Sequence, residues 1–230
     1  TFTEGDVATT IVDASVAVAD VDDTTLVNVT LDTGGIVDGA SEQLTIGNLT
    51  FALNVADFNN AAVTIGGNAY TVDWVNATGI ATITLNSGEM SLAQSQAVML
   101  ATAYQHTDTG NPTAGARTID VRVNDGNTDS AVATTTITVA PVNDASTVDL
   151  DAVPVGNDYA FTFTEGDVAT TIVDASVTVL DVDDTTLVNV TLDTGGVVDG
   201  ASEQLTIGNL TFALNVADFN NAAVTIGGNA

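Results

Sequence analysis

The sequence has no cysteine and no lysine, one histidine, one tryptophan and three prolines, and its only basic residues are Arg117 and Arg122. Each scarcity excludes something. Without cysteine there is no disulfide and no thiol chemistry, so packing, alone or with metal ions, must hold whatever fold forms. A single histidine, His106, rules out an ordinary zinc site. It would also have to serve any Ser-His-Asp triad, yet no Gly-x-Ser-x-Gly elbow is present. Two basic residues against 30 acidic ones give a net charge of −28. That leaves no basic face for nucleic acid or an anionic membrane. No apolar run approaches the ~18 residues of a membrane span, and no signal peptide is visible.

What is present is repetition. Residues 162–230 copy residues 1–69 at an offset of 161, and only Ala17/Thr178, Ala19/Leu180 and Ile36/Val197 differ. A long fixed period marks one folding unit used in tandem, and a unit of this length can bury its own core. The 45% of hydrophobic residues, rich in valine, isoleucine and threonine, argues against disorder. Neither copy has the atypical composition of a capping repeat, so we expect the 230 residues to be a window on a longer array. Near-identical copies point to length and mechanics, because an active site needs only one copy. No enzyme is expected.

Within the unit the dominant period is two. Val27, Val29 and Leu31 alternate with polar residues, as do Phe51, Leu53 and Val55, Ile83 and Leu85, Ile119, Val121 and Val123, and Ile137 and Val139. Each run is a half-buried strand. Thr33-Gly34-Gly35, Asp38-Gly39, Gly66-Gly67-Asn68, Thr78-Gly79 and Asn124-Asp125-Gly126 are turn signals between them. The spacing predicts an all-β, antiparallel sandwich. One stretch departs from it: Ser91–Leu100 carries helix formers, with Leu92, Gln96 and Met99 on one face. Ser91 and Gln94 form a capping-box pattern, so one short helix per module is expected. Trp74 and Tyr70 read as core. Pro141 ends a strand and opens a polar linker, which places one module at 1–145 and the next at 146–230. The second opens through Val148–Asp151 and Tyr159–Phe163.

Val121-Arg-Val-Asn-Asp-Gly126, Thr134–Val139 and Pro141-Val-Asn-Asp-Ala145, taken with Phe161-Thr-Phe-Thr-Glu-Gly166 and Asp181-Val-Asp-Asp184, resemble the tandem cadherin-like and immunoglobulin-like modules of large RTX-type bacterial surface adhesins. The resemblance implies a β-sandwich, calcium between modules and an extracellular position on the bacterial cell surface. It also implies ligands. Glu4 would join Asn143 and Asp144 of the linker, and Asp181, Asp183 and Asp184 would approach from the following module. Asp149 and Asp151 are close enough in sequence to contribute. Asp20, Asp22, Asp23 and Asp125 would face a preceding linker, and Glu165 a following one. The family's outer linker residues are replaced here by Pro141 and Ala145. Its Leu-Asp-Arg-Glu element is absent and no substitute is assigned, Glu89 and Asp108 being the candidates for one. One or two ions per joint are therefore expected.

Calcium favours six to eight hard oxygen ligands, which clustered Asp and Asn can supply. The same residues are ordinary turn formers, and Asp38, Asp57 and Asp73 read that way. The EF-hand pattern fails, because Asp20-Val-Asp22 lacks its glycine and Thr136 stands where the run from Asp125 needs glutamate. The expected role is a calcium-rigidified spacer whose partners are adjacent copies of the module. Two alternatives are a structural filament, in which self-association into fibres shares strands between chains, and a calcium-dependent carbohydrate-binding module.

Overall fold

The computed structural model describes residues 1–151, 156–215 and 222–226. The chain divides into two compact units, Thr1–Thr185 and Thr186–Ala230. In the first, thirteen strands and a helix precede the linker: β1 (Phe2–Thr3), β2 (Thr9–Thr10), β3 (Thr25–Leu26), β4 (Asn28–Asp32), β5 (Glu42–Ile46), β6 (Leu49–Ala52), β7 (Phe58–Ile65), β8 (Asn68–Val75), β9 (Ile80–Leu85), β10 (Met90–Ser91), α1 (Leu92–Leu100), β11 (Thr102–His106), β12 (Gly115–Asn124) and β13 (Ala133–Ala140). The protein is β-rich, and among the described residues the β1–β13 pairing is parallel and the other strand pairings are antiparallel.

Seven strands form one sheet in the order β1-β13-β12-β4-β9-β8-β7, and four form another in the order β2-β11-β5-β6. Both send alternate side chains into one core. Val29 and Leu31 of β4, Val72 and Trp74 of β8, Ile83 of β9 and Ile119 of β12 come from the larger sheet. Leu44 and Ile46 of β5, Phe51 of β6 and Tyr104 of β11 come from the smaller one. Phe51 and Trp74 meet with ring centroids 5.1 Å apart, and Phe2 meets Tyr104 edge-on at 5.7 Å. The period of two therefore does what the sequence indicated, and Trp74 and Tyr70 are fully buried. The Trp74 indole N–H donates to the Val55 carbonyl at 3.1 Å. The Tyr70 hydroxyl has no partner, at a cost of roughly 1–3 kcal/mol.

The turns are equally legible. β7 and β8 join through Gly66 (φ 57°) and Gly67 (φ 81°), a two-residue hairpin turn that needs positive φ at both positions. Helix α1 carries the expected capping box, with Ser91 and Gln94 bonded reciprocally. Its buried face differs from the expected one. Ser95, Val98 and Met99 are buried, whereas Leu92 and Gln96 are only half-buried. The reason is that Gln96 turns aside to donate to the Val16 carbonyl at 2.7 Å.

Beyond the linker, the first unit continues with β14 (Thr147–Asp149) paired antiparallel to β15 (Thr178–Leu180). Of the opening segments, Val148–Asp151 overlaps β14, whereas residues 156–163 contain no strand, and Tyr159 and Phe161 stack on each other at 6.0 Å. The second unit contains a hairpin of β16 (Gln204–Ile207) and β17 (Leu210–Ala213), preceded by a short 3-10 turn at Gly200–Ser202.

Candidate functional site

The segment after β13 is where the first unit gathers its acidic side chains. Parallel pairing of β1 with β13 places Phe2 opposite Val139, and the Glu4 backbone N–H continues the ladder to the Ala140 carbonyl at 3.0 Å. This puts the Glu4 carboxylate at the linker, where it accepts the Val142 N–H at 2.9 Å. Two residues on, the Asp144 N–H donates to the Asp183 carboxylate. Asn143 folds its amide back onto the Asp144 carbonyl at 2.6 Å. Asp181 accepts the backbone N–H of Asp183 at 3.0 Å and of Asp184 at 2.8 Å, which bends the acidic turn toward the linker. The β14–β15 pair sits between the two, holding the chain that leads into that turn.

A third segment supports the same turn. Asp108 accepts the N–H groups of Gly110 and Asn111 at 2.9 and 3.3 Å, and Asn111 donates to the Val182 carbonyl at 3.4 Å. The Val182 side chain lies so close to Gly110 that a Cβ there would come within 2.7 Å of it. Linker, acidic turn and the 108–111 loop are thus one local assembly. Asp144, Asp181 and Asp183 are half-buried in it, and Asn143 is exposed.

The assembly joins the expected ligands in pairs rather than as a cage. Among the described residues, no three acidic or histidine side chains stand together in a metal-holding arrangement. The donor chemistry nevertheless suits a hard cation: carboxylates of Glu4, Asp144, Asp181 and Asp183, with the Asn143 amide and linker carbonyls beside them. Asp149 lies in β14 and accepts the Asp151 N–H at 3.0 Å.

The remaining candidates lie elsewhere. Asp20 accepts the N–H groups of Asp22 and Asp23, both at 2.8 Å. Asp125 accepts those of Asn127 and Thr128, both at 2.7 Å. These bonds hold the Asp125 carboxyl below its ordinary pKa, Thr128 contributing most. Glu165 is exposed. Asp57 and Asp73, read as turn formers, accept the N–H groups of Asn76 and Asn60 respectively. Glu89 accepts the Thr25 hydroxyl at 2.5 Å.

A second polar cluster was not anticipated from the sequence. Glu42, His106 and Arg117 are at most 1% exposed. Glu42 and His106 sit opposite each other on β5 and β11. The Glu42 carboxylate accepts from the Tyr104 hydroxyl at 2.7 Å, from the Arg117 guanidinium, and from the N–H groups of Val37 and Asp38 at 2.8 Å each. Asp38 accepts from His106 Nε2 and Arg117 Nη2 at 2.9 Å, and from the Thr113 N–H and hydroxyl at 3.0 and 2.6 Å. His106 Nδ1 accepts the Asp108 N–H at 3.2 Å, which leaves the ring proton on Nε2, facing Asp38.

This arrangement perturbs its groups in consistent directions. Burial would raise the Asp38 pKa, but bonds from Thr113 and His106 and the Arg117 charge outweigh it, so the carboxyl sits below its ordinary value. Burial, reinforced by the Glu42 carboxylate, pushes the Tyr104 phenol up. Burial alone would weaken the Arg117 charge, yet pairing with Glu42 holds its pKa above the ordinary value. Every carboxylate oxygen here has a donor, and the one imidazole is bonded at both nitrogens. What such a network does is fix the Thr107–Thr113 loop, the one that supports Val182. The signal for it was in the alternation: Glu42 is in phase with Leu44 and Ile46, and Arg117 with Ile119 and Val121.

No family model, no curated protein and no solved structure matches this chain.

Proposed function

We propose that this chain is part of a repetitive extracellular spacer on a bacterial surface, built of immunoglobulin/cadherin-like β-sandwich modules and stiffened by calcium at the joint between them. The observation that carries the reading is the meeting of the Asn143-Asp144 linker with the Asp181–Asp184 turn in a chain that repeats at 161 residues. Glu4, Asn143, Asp144, Asp181 and Asp183 would hold the ion, with Asp149, Asp151 and Asp184 able to complete its shell. Calcium supplies charge and gathers a shell of oxygen ligands from both sides of the joint. It neutralises carboxylates that otherwise repel across the joint, in a protein carrying −28 with almost no cations of its own. Freed of calcium, the joint hinges; loaded, it holds one angle, and an array of such joints becomes a rod. The network around Glu42 and Arg117 suits this role, since it anchors the loop beneath the joint.

Thermal melting and small-angle scattering of the full chain, in calcium and in chelator, test the proposal. Calcium at about 100 times its dissociation constant adds about 2.7 kcal/mol per site. The expected result is a higher melting temperature and a narrower spread of dimensions in calcium. Identical curves in both buffers would remove calcium from the account.

The filament reading is kept alive by one observation. The second repeat exposes apolar side chains that the first buries, among them Phe163, Val190 and Leu192. Such a face can recruit a strand from another chain. Concentration-dependent growth in sedimentation would favour that reading over a monomeric spacer.

A further inference from the structure

The acidic turn that reaches the joint is built twice in this chain, and its shape does not depend on what lies beside it. Asp181 accepts the N–H groups of Asp183 and Asp184, and in the first repeat Asp20 accepts those of Asp22 and Asp23. Self-bonded Asp turns of this kind form from local sequence. Their tips differ. Val21 is 99% exposed, against 60% for Val182, which has the 108–111 loop beside it.

That loop is equally well formed. His106 Nδ1 accepts the Asp108 N–H at one end, and Asp38 accepts the Thr113 N–H and hydroxyl at the other. Between these anchors the Asp108 carboxylate accepts the N–H groups of Gly110 and Asn111. Pro112 follows, buried, with its φ fixed by its ring. Arg117 in turn holds Asp38 and Glu42 in place.

We infer that the 108–111 loop is a metal-independent seat for the acidic turn of the following module, with Gly110 and Val182 as its fitted pair. Two contacts define the seat. Asn111 Nδ2 donates to the Val182 carbonyl at 3.4 Å. Gly110 faces the Val182 side chain so closely that a β-carbon would lie 2.7 Å from Cγ1. Gly110 is not among the glycines with positive φ, so this close approach, rather than its backbone conformation, is what calls for glycine. Because turn and loop are both preformed, bringing them together orders little else.

The seat sets the joint's geometry before any ion arrives, since the turn it holds presents Asp183 to the Asp144 N–H. Without calcium the joint then hinges about this contact instead of swinging freely. One consequence rests on the calcium reading above: Gly110 and Asn111 are positioning residues that ligate nothing yet set the affinity. Groups that orient ligands from behind are typically worth about 10–100-fold in metal affinity.

The test uses the full chain and begins in chelator. A nuclear Overhauser contact between the Gly110 α-protons and the Val182 methyls is expected there, and its absence would overturn the seat whether or not calcium binds. Calcium is then titrated calorimetrically into the wild type, Gly110→Ala, and Gly110→Ala combined with Val182→Ala, while Trp74 fluorescence reports that the module stays folded. G110A should weaken binding about tenfold or more. Adding V182A should recover the loss by making room for the new β-carbon, a rescue that general loosening of the loop would not give. G110A binding as tightly as the wild type, or no recovery with V182A, would overturn the positioning role. A wild type that binds no calcium while keeping the Gly110–Val182 contact would sink the calcium reading and support the seat alone.

Discussion

The same 69 residues occur twice, and they end in two different environments. In the first copy they supply much of a shared core, and in the second most of the equivalent apolar side chains face solvent. The hairpin survives in both: β5–β6 and β16–β17 have matching registers, and Glu203 accepts the N–H groups of Val198 and Asp199 as Glu42 accepts those of Val37 and Asp38. The Asn48 carboxamide accepts the Thr64 N–H, and Asn209 repeats this with Thr225. What differs between the copies, among the described residues, includes β1, β3 and β4, whose ladder partners all lie in residues 70–140 and whose counterparts form no strand. Turn chemistry and the hairpin are therefore written locally, within a few residues, while β1 and β4 exist only because β9, β12 and β13 receive them.

That contrast can be pressed hardest in the segment that has no second copy. Arg117→Ala would strand the buried Glu42 and leave Asp38 with less compensation. It should cost about 3–5 kcal/mol in chemical denaturation. A matched pair across the repeats comes next. Leu31→Ala should cost about 2 kcal/mol, while Leu192→Ala changes stability by less than about 0.5 kcal/mol. Equal effects would mean that the two copies share one environment after all.

Acid provides a gentler probe. The Asp38 carboxyl lies below its ordinary pKa when folded, so the folded state releases that proton more readily than the unfolded chain. Its stabilisation is complete above about pH 4 and drains away as pH falls below that. Asp38→Asn should flatten the low-pH limb of the melting-temperature profile, and an unchanged limb would show that Asp38 does not link protons to folding. The smallest effect is expected at Tyr70, where Tyr70→Phe removes the unsatisfied hydroxyl and should raise stability by about 1 kcal/mol.

Much of this was legible in the sequence because it was local or periodic. Alternation identified β4, β9, β12 and β13, paired glycines marked the β7–β8 turn, and Ser91 with Gln94 announced the helix. The helix face was misjudged because a tertiary bond from Gln96 to Val16 decides it. The Tyr159–Phe163 stretch carried apolar residues but formed no strand, since composition does not supply a ladder partner. Asp38 looked like a turn residue and is one, but its carboxylate is claimed by Arg117, His106 and Thr113, all more than 60 positions away. His106 is the chain's single histidine, yet nothing near it in sequence showed that it would face Asp38. At the joint, sequence proposed the residues and the structure placed Glu4 and Asp183 against the linker. Asp108, a bare candidate in the sequence, reaches the joint through Gly110 and Asn111, by contacts that no linear spacing encodes.

The Asp144 N–H now donates to the Asp183 carboxylate, which the proposal assigns to calcium, so the backbone amide resonance of Asp144 should report binding directly. Titrating calcium into the full chain should shift that resonance saturably, and Asp183→Asn should abolish the shift while the Asp125 turn remains folded. An Asp144 amide that stays in place through millimolar calcium would contradict the account.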